Sequence, residues 1–281
     1  MSYIARIRTS LPAYTLCADD FALSSPISET IADLASRGCI NAISCMAVFP
    51  GWESDARLIA RFGGKGPGGV QVGLHLVLAG EQPITPMRLQ GADGRLPSAD
   101  RMKLLAWGGR LDLCELSREI DAQFAAFTKA MGKAPDFVDA HQHVHVLPGI
   151  RRCVIDATLR HAPGAWIRNP ADGTAAALRR PFVGKAIGSN VHALGLGAAL
   201  AWRGIASNDS FAGHYDYQGD YAALLPRFFK GSGVRHLIMC HPGSGQTKDD
   251  PIASARIVEA AVLGEMSLVD RLTELRLRRA L

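Results

Sequence analysis

The chain has 281 residues, 48% of them hydrophobic and 20% charged, with a net charge of +5. This is the composition of a folded protein, long enough for one large α/β domain over residues 1–281, and it excludes a disordered chain. The positive charge is scattered, and the Arg276 to Arg279 run reads as a solvated helix tail, so nucleic acid is not expected as a partner.

Six cysteines show no CxxC spacing, which argues against a disulfide framework and against zinc–thiolate chemistry. No signal peptide is read at the start. The longest apolar stretch, Val191 to Ile205, is too short to span a bilayer and reads as core helix, with a lipid-binding wall as the alternative. A cytoplasmic protein without an integral membrane segment is expected.

In chain order, Tyr14 to Asp19 reads as a first strand, and Ser25 as N-cap with Pro26 at the first helical position opens a helix that Gly38 ends. Ala42 to Val48 is a second strand, followed by a helix over Glu53 to Phe62. Val70 to Val77 is a third. Gly80 to Gly109 reads as a long irregular insertion. Leu116, Ile120, Phe124, Phe127 and Met131 mark an amphipathic helix ended by Gly132. Strand four is Phe137 to His141, a helix begins near Pro148, and strand five is Ala165 to Arg168. Residues 171–204 resist assignment. Ile205 to Asn208 reads as a short sixth strand, Tyr221 to Phe229 as a helix and Arg235 to Cys240 as a seventh strand. Ser267 caps a last helix with a Leu268, Leu272, Leu275 stripe.

Strands alternating with helices indicate a mostly parallel sheet covered on both sides. About seven such units, with no glycine-rich phosphate fingerprint, favour a TIM-like (β/α) barrel, distorted or incomplete, over a doubly wound sheet.

The polar residues cluster by position. Asp19 and Asp20 end strand one, His75 ends strand three and His141 strand four. Arg168 ends strand five, Asn208 and Asp209 strand six, and His241 follows strand seven. All are expected at the carboxyl mouth of a barrel, where such folds place their chemistry. One carboxylate with two imidazoles makes a divalent-metal site with open positions, and a second carboxylate beside it can act as a base. His141, His143 and His145 alternate and would share one face of an extended segment. Asp139 would share that face and orient His141. Arg168 either pairs with Asp19 or binds substrate.

Four segments carry a family resemblance: Cys17-Ala-Asp-Asp-Phe-Ala-Leu-Ser24, Val72-Gly-Leu-His-Leu-Val77, Val138-Asp-Ala-His-Gln-His-Val-His145 and Met239-Cys-His-Pro-Gly243. Together with Ile167-Arg168 and Asn208-Asp-Ser-Phe-Ala-Gly213, they resemble the YdjC-like carbohydrate deacetylases. That group contains chitooligosaccharide deacetylases and hopanoid-biosynthesis-associated deacetylases. The chain departs from it at Ala22, usually glycine, and at Ala140, commonly serine. The resemblance implies a (β/α) barrel and loss of an N-acetyl group from an amino sugar, oligosaccharide or glycolipid. It implies Asp20, His75 and His141 as metal ligands and Asp19 as general base, with magnesium the usual ion. Ligand chemistry alone favours zinc or manganese.

For the proton donor to the leaving amine, His241 is favoured, with His143 or His145 as alternatives. The rival enzyme class is a metal-dependent phosphoesterase or other amidohydrolase on a similar barrel. Such barrels often pair, which admits a homodimer.

Overall fold

The computed structural model describes residues 14–63, 69–172, 182, 184, 193, 195–230, 235–244, 250–265 and 270. Its strands are β1 (Tyr14–Phe21), β2 (Ala42–Cys45), β3 (Gln71–Leu76), β4 (Phe137–Ala140), β5 (Trp166–Ile167), β6 (Ser210–Ala212) and β7 (His236–Cys240). Every pairing is parallel, in the order β5-β4-β3-β2-β1-β7-β6. The seven strands curl into a partly closed barrel wrapped by helices, as the alternating pattern predicts.

The helices are α1 (Ser25–Ser36), α2 (Trp52–Ile59), α3 (Ala99–Trp107), α4 (Leu113–Met131), α5 (Ile150–His161), α6 (Leu196–Trp202), α7 (Tyr221–Phe229) and α8 (Ala253–Leu263). The longest, α4, shows how local signals set the boundaries. Asp112 accepts N–H bonds from Cys114 and Glu115 at its start, and Gly132 ends it in the left-handed region. The expected stripe, Leu116, Ile120, Phe124, Phe127 and Met131, is buried. No helix among the described residues is long and apolar enough to cross a membrane.

Four expectations are corrected. Ser24, not Ser25, occupies the N-cap of α1. The Gly80 to Gly109 insertion contains α3, capped by Ser98, whose side chain accepts from the Arg101 amide. Its approach is pinned to α4: buried Glu119 accepts bonds from Ile84 N, Thr85 N and Thr85 Oγ1 at 2.7–3.0 Å. The sixth strand is Ser210–Ala212 rather than Ile205 to Asn208. The latter segment instead spans the gap between the sheet's two edges. Ile167 N donates to Ala206 O at 3.0 Å, and Asn169 exchanges bonds with the Asn208 side chain. This satisfies the backbone of an edge that the short β5 would leave open.

The fourth correction concerns the histidine triplet. Residues His141–Val146 form a 3-10 turn, with Gln142 at φ 53° and His143 at φ 57°, so the three imidazoles diverge instead of sharing a face. Of the Val191 to Ile205 stretch, Leu196–Trp202 forms α6, with Leu196 and Leu200 inward and Trp202 exposed. The expected Ser267 cap and its Leu268, Leu272 and Leu275 stripe lie outside the described residues.

Candidate metal centre

The carboxyl ends of the strands line a cavity of about 510 Å³, shared by Asp19, Asp20, His75, His141, His143 and His241. Consecutive residues of a regular strand face opposite ways, yet Asp19 and Asp20 both reach this space. The reason is a bulge: the β1–β2 register slips between Ala18 and Phe21, and Asp20 takes φ 66°. Aspartate tolerates that left-handed backbone better than most residues. Ala22, at φ 72°, continues the bend.

Three donor groups converge there. Asp20 Oδ1 lies 3.1 Å from His141 Nδ1 and 3.5 Å from His75 Nε2. One ligand atom from each residue lies within 4.8 Å of the others. Burial opposes the charge on Asp20, but Arg256 and then His141 and His75 outweigh it, holding its carboxyl well below the usual range. Burial also opposes charge on His75, yet Asp139 above all raises it to about 10. The carboxylates around His75 therefore favour positive charge at this end of the cavity. A carboxylate and two imidazoles with that demand fit a divalent cation.

Asp139 does not orient His141 as expected. Its Oδ1 lies 2.6 Å from His75 Nδ1 and accepts from Ser44 Oγ at 2.5 Å. The parallel β3–β4 register sets His75 beside Asp139 and explains the change of partner. With Nδ1 held, the Nε2 of His75 faces Asp20. Burial would raise Asp139, but Arg168 and His75 bring it down to about 2.

Arg168 is fully buried and pairs with Asp19 through Nη1–Oδ2 and Nη2–Oδ1 contacts of 2.6 Å. Its Nη2 also lies 2.6 Å from Asp139 Oδ2 and 3.1 Å from Cys17 Sγ. Cys17, Asp19 and Asp139 are close enough to hold an ion themselves. The guanidinium supplies the cation there, so that cluster is an arginine site.

The remaining expected residues separate. His145 is buried, with Nε2 donating to the Arg168 carbonyl at 2.9 Å, and burial brings it down to about 4. It braces Arg168 from outside the cavity lining. His143 reaches the cavity and packs edge-on to His214 and Phe211. His241 also reaches it, and burial lowers it to about 4 despite Asp20 and Asp19. Asp209 is misplaced by the sequence reading. It precedes β6, accepts from Arg235 N at 3.0 Å, and so sits at the amino end of the sheet, away from the cavity. The later start of the sixth strand, at Ser210 instead of Ile205, is the cause.

Sequence reasoning missed two residues on α8. Arg256 donates to Asp20 Oδ2 at 2.7 Å and to Asp250 Oδ2 at 2.6 Å. Glu259 accepts from His241 N and from Tyr215 Oη, both at 2.5 Å. The available signal was an arginine and a glutamate three apart on the buried face of an otherwise apolar helix. Gly213 turns the chain after β6 toward His214, Tyr215 and Tyr217. It has φ 111°, and a Cβ there would lie 2.2 Å from Met239 O.

The comparisons with known proteins agree on a family. A carbohydrate deacetylase of Homo sapiens is 27% identical over 80% of this chain and 73% of that protein. A chitooligosaccharide deacetylase of Enterobacter sp. (strain 638) is 33% identical over 47% of this chain and 50% of that protein. A solved structure from Enterococcus faecalis V583, described as a cellobiose-phosphate cleavage protein, superposes with TM-score 0.70 at 18% identity, covering 94% of each chain, and shows the shared fold. The YdjC-like protein family model matches residues 14–274, and the chain belongs to that family.

Proposed function

We propose that this chain is a metal-dependent hydrolase that removes the N-acetyl group from an acetylated amino sugar, as a free sugar, oligosaccharide or glycolipid. The observation that carries the reading is the adjacency of two differently committed carboxylates in one cavity. Asp20 turns Oδ1 to two imidazoles, while Asp19 is held by Arg168. The names carried by the human and Enterobacter relatives support the same chemistry.

Asp20, His75 and His141 would hold one divalent ion. When bound, it supplies a Lewis acid for the acetyl carbonyl and acidifies water. Magnesium follows from the family resemblance, and the two imidazoles also suit zinc or manganese.

Asp19 is the general base. Both of its oxygens accept a guanidinium N–H from Arg168; Oδ1 also accepts from Cys17 Sγ at 3.5 Å, while Oδ2 keeps a second lone pair, so the carboxylate can take a proton from the attacking water there while its orientation stays fixed. The departing amine needs a proton in return. Burial keeps His241 neutral at pH 7, so it relays the proton collected by Asp19 rather than storing one. Glu81, Arg95 and Gln142 also line the cavity and offer hydrogen bonds to a hydroxyl-rich substrate.

The test is acetate release from acetylated chitooligosaccharides, acetylated nucleotide sugars and glycosylated lipids in the presence of Mg²⁺, Mn²⁺ or Zn²⁺. Release by the wild type, lost in Asp19→Asn, is the expected result. Phosphate release from a generic ester, with no acetate from any of these substrates, would replace this reading with the phosphoesterase one.

A further inference from the structure

Asp20 uses its two oxygens differently. Oδ1 faces His141 Nδ1 at 3.1 Å and His75 Nε2 at 3.5 Å, whereas Oδ2 accepts from Arg256 Nη2 at 2.7 Å. Arg256 is only 3% exposed and is held from several directions. Its Nε donates to Asp250 Oδ2 at 2.6 Å, and its carbonyl accepts from Gly243 N at 3.1 Å. One helical turn on, Glu259 ties the same helix to the His241 backbone at 2.5 Å. A guanidinium fixed this way cannot swing off the carboxylate.

We propose that Arg256 is a positioning residue that restricts Asp20 to one metal-facing oxygen. The inference rests on the metal-centre reading above. A carboxylate with a free pair of oxygens can grip a divalent ion through both. With Oδ2 engaged by Arg256, Asp20 offers one donor, and more of the ion's positions stay open for water and substrate, as a catalytic site requires. The fixed positive charge beside Asp20 also weakens the hold on a cation. The site thereby gives up affinity and keeps access.

A merely structural arginine would behave differently on removal, because loosening the site would weaken metal binding and turnover together. Here the two should move in opposite directions. Co²⁺ titrations of the full chain, followed by calorimetry alongside acetate release, separate these cases. Arg256→Gln removes a positive charge close to the ion and should bind Co²⁺ about tenfold or more tightly than wild type, while kcat falls on the order of a hundredfold. Arg256→Lys keeps the charge and one donor, and should return both quantities part of the way toward wild type. His75→Ala is the control for the metal centre.

If wild type binds Co²⁺ no better than His75→Ala, the metal reading fails and this inference fails with it. If wild type binds Co²⁺ and His75→Ala does not, but Arg256→Gln binds no tighter than wild type, the positioning role alone is overturned. Should Arg256→Gln fail to fold, Arg256→Lys decides. Tighter Co²⁺ binding with reduced kcat supports the role, and Co²⁺ affinity at or below that of wild type overturns it.

Discussion

Arg168 holds Asp19 by both oxygens, with Nη1 2.6 Å from Oδ2 and Nη2 2.6 Å from Oδ1, and both side chains are buried. The partners lie 149 positions apart in the sequence. Because Asp139 shares the same guanidinium, one arginine neutralises the carboxylate proposed as base and the carboxylate that orients His75.

Replacing Arg168 should therefore be costly in two ways. Arg168→Met leaves two buried carboxylates without their cation, and we expect a loss of roughly 3–5 kcal/mol in urea-unfolding free energy. Acetate release should fall well beyond what the fraction unfolded explains. A variant as stable as wild type would show that the pair contributes nothing net to the fold.

Asp139 reaches the centre only through His75. In Asp139→Asn the imidazole loses the charged acceptor that holds its Nδ1 side, and Co²⁺ affinity should drop by about 10–100-fold. Calorimetric titration against the wild type measures this directly. Unchanged affinity would mean that Ser44, 3.0 Å from the same nitrogen, suffices to orient the ring.

Ala22 adopts φ 72°, a region that glycine enters without a Cβ clash. The left-handed backbone costs a residue with a side chain about 1–2 kcal/mol, and glycine returns part of that as unfolded-state entropy. Ala22→Gly should stabilise the protein by about 0.5–1 kcal/mol, read from the urea midpoint at constant slope. A lowered midpoint would show that the bend is not strained.

Glu259 is fully buried, and burial raises it to about 7, although Tyr215, the His241 amide and Arg256 pull the other way and Asp19 adds to the rise. Below about pH 4.5 the group is protonated in folded and unfolded chains alike and has no effect on stability. As pH rises from there to about 7, the unfolded chain ionises first and the fold loses stability, on the order of 3 kcal/mol once the folded group ionises too. Glu259→Gln removes this component, so its stability relative to wild type should improve between pH 5 and pH 8. A difference that stays constant across that range would place the group's ionisation at the ordinary carboxylate value.

The strands that deliver Asp19, Asp20, His75 and Arg168 were legible because each is a continuous apolar run ended by a polar residue. A buried parallel strand leaves that mark. The sixth strand was misread by a few residues since Ile205 to Asn208 also opens on apolar residues and ends on a polar one. With it went Asp209, because placement at one end of a strand or the other depends on where the strand begins. The 3-10 turn at His141 was illegible in kind: a period of two in sequence says which face residues share only if the backbone is extended, and Gln142 and His143 are left-handed.

Local pattern thus determined a parallel α/β barrel with its candidate site at the carboxyl end, since burial and hydrogen bonding force strands and helices to display their periods in the sequence. Partnership was decided only in three dimensions. Ion pairs such as Asp20 with Arg256, 236 positions apart, join charges that leave no periodic trace. They form because a buried charge must find a counter-charge in space, and proximity in space is a property of the packed sheet and helices rather than of neighbouring residues.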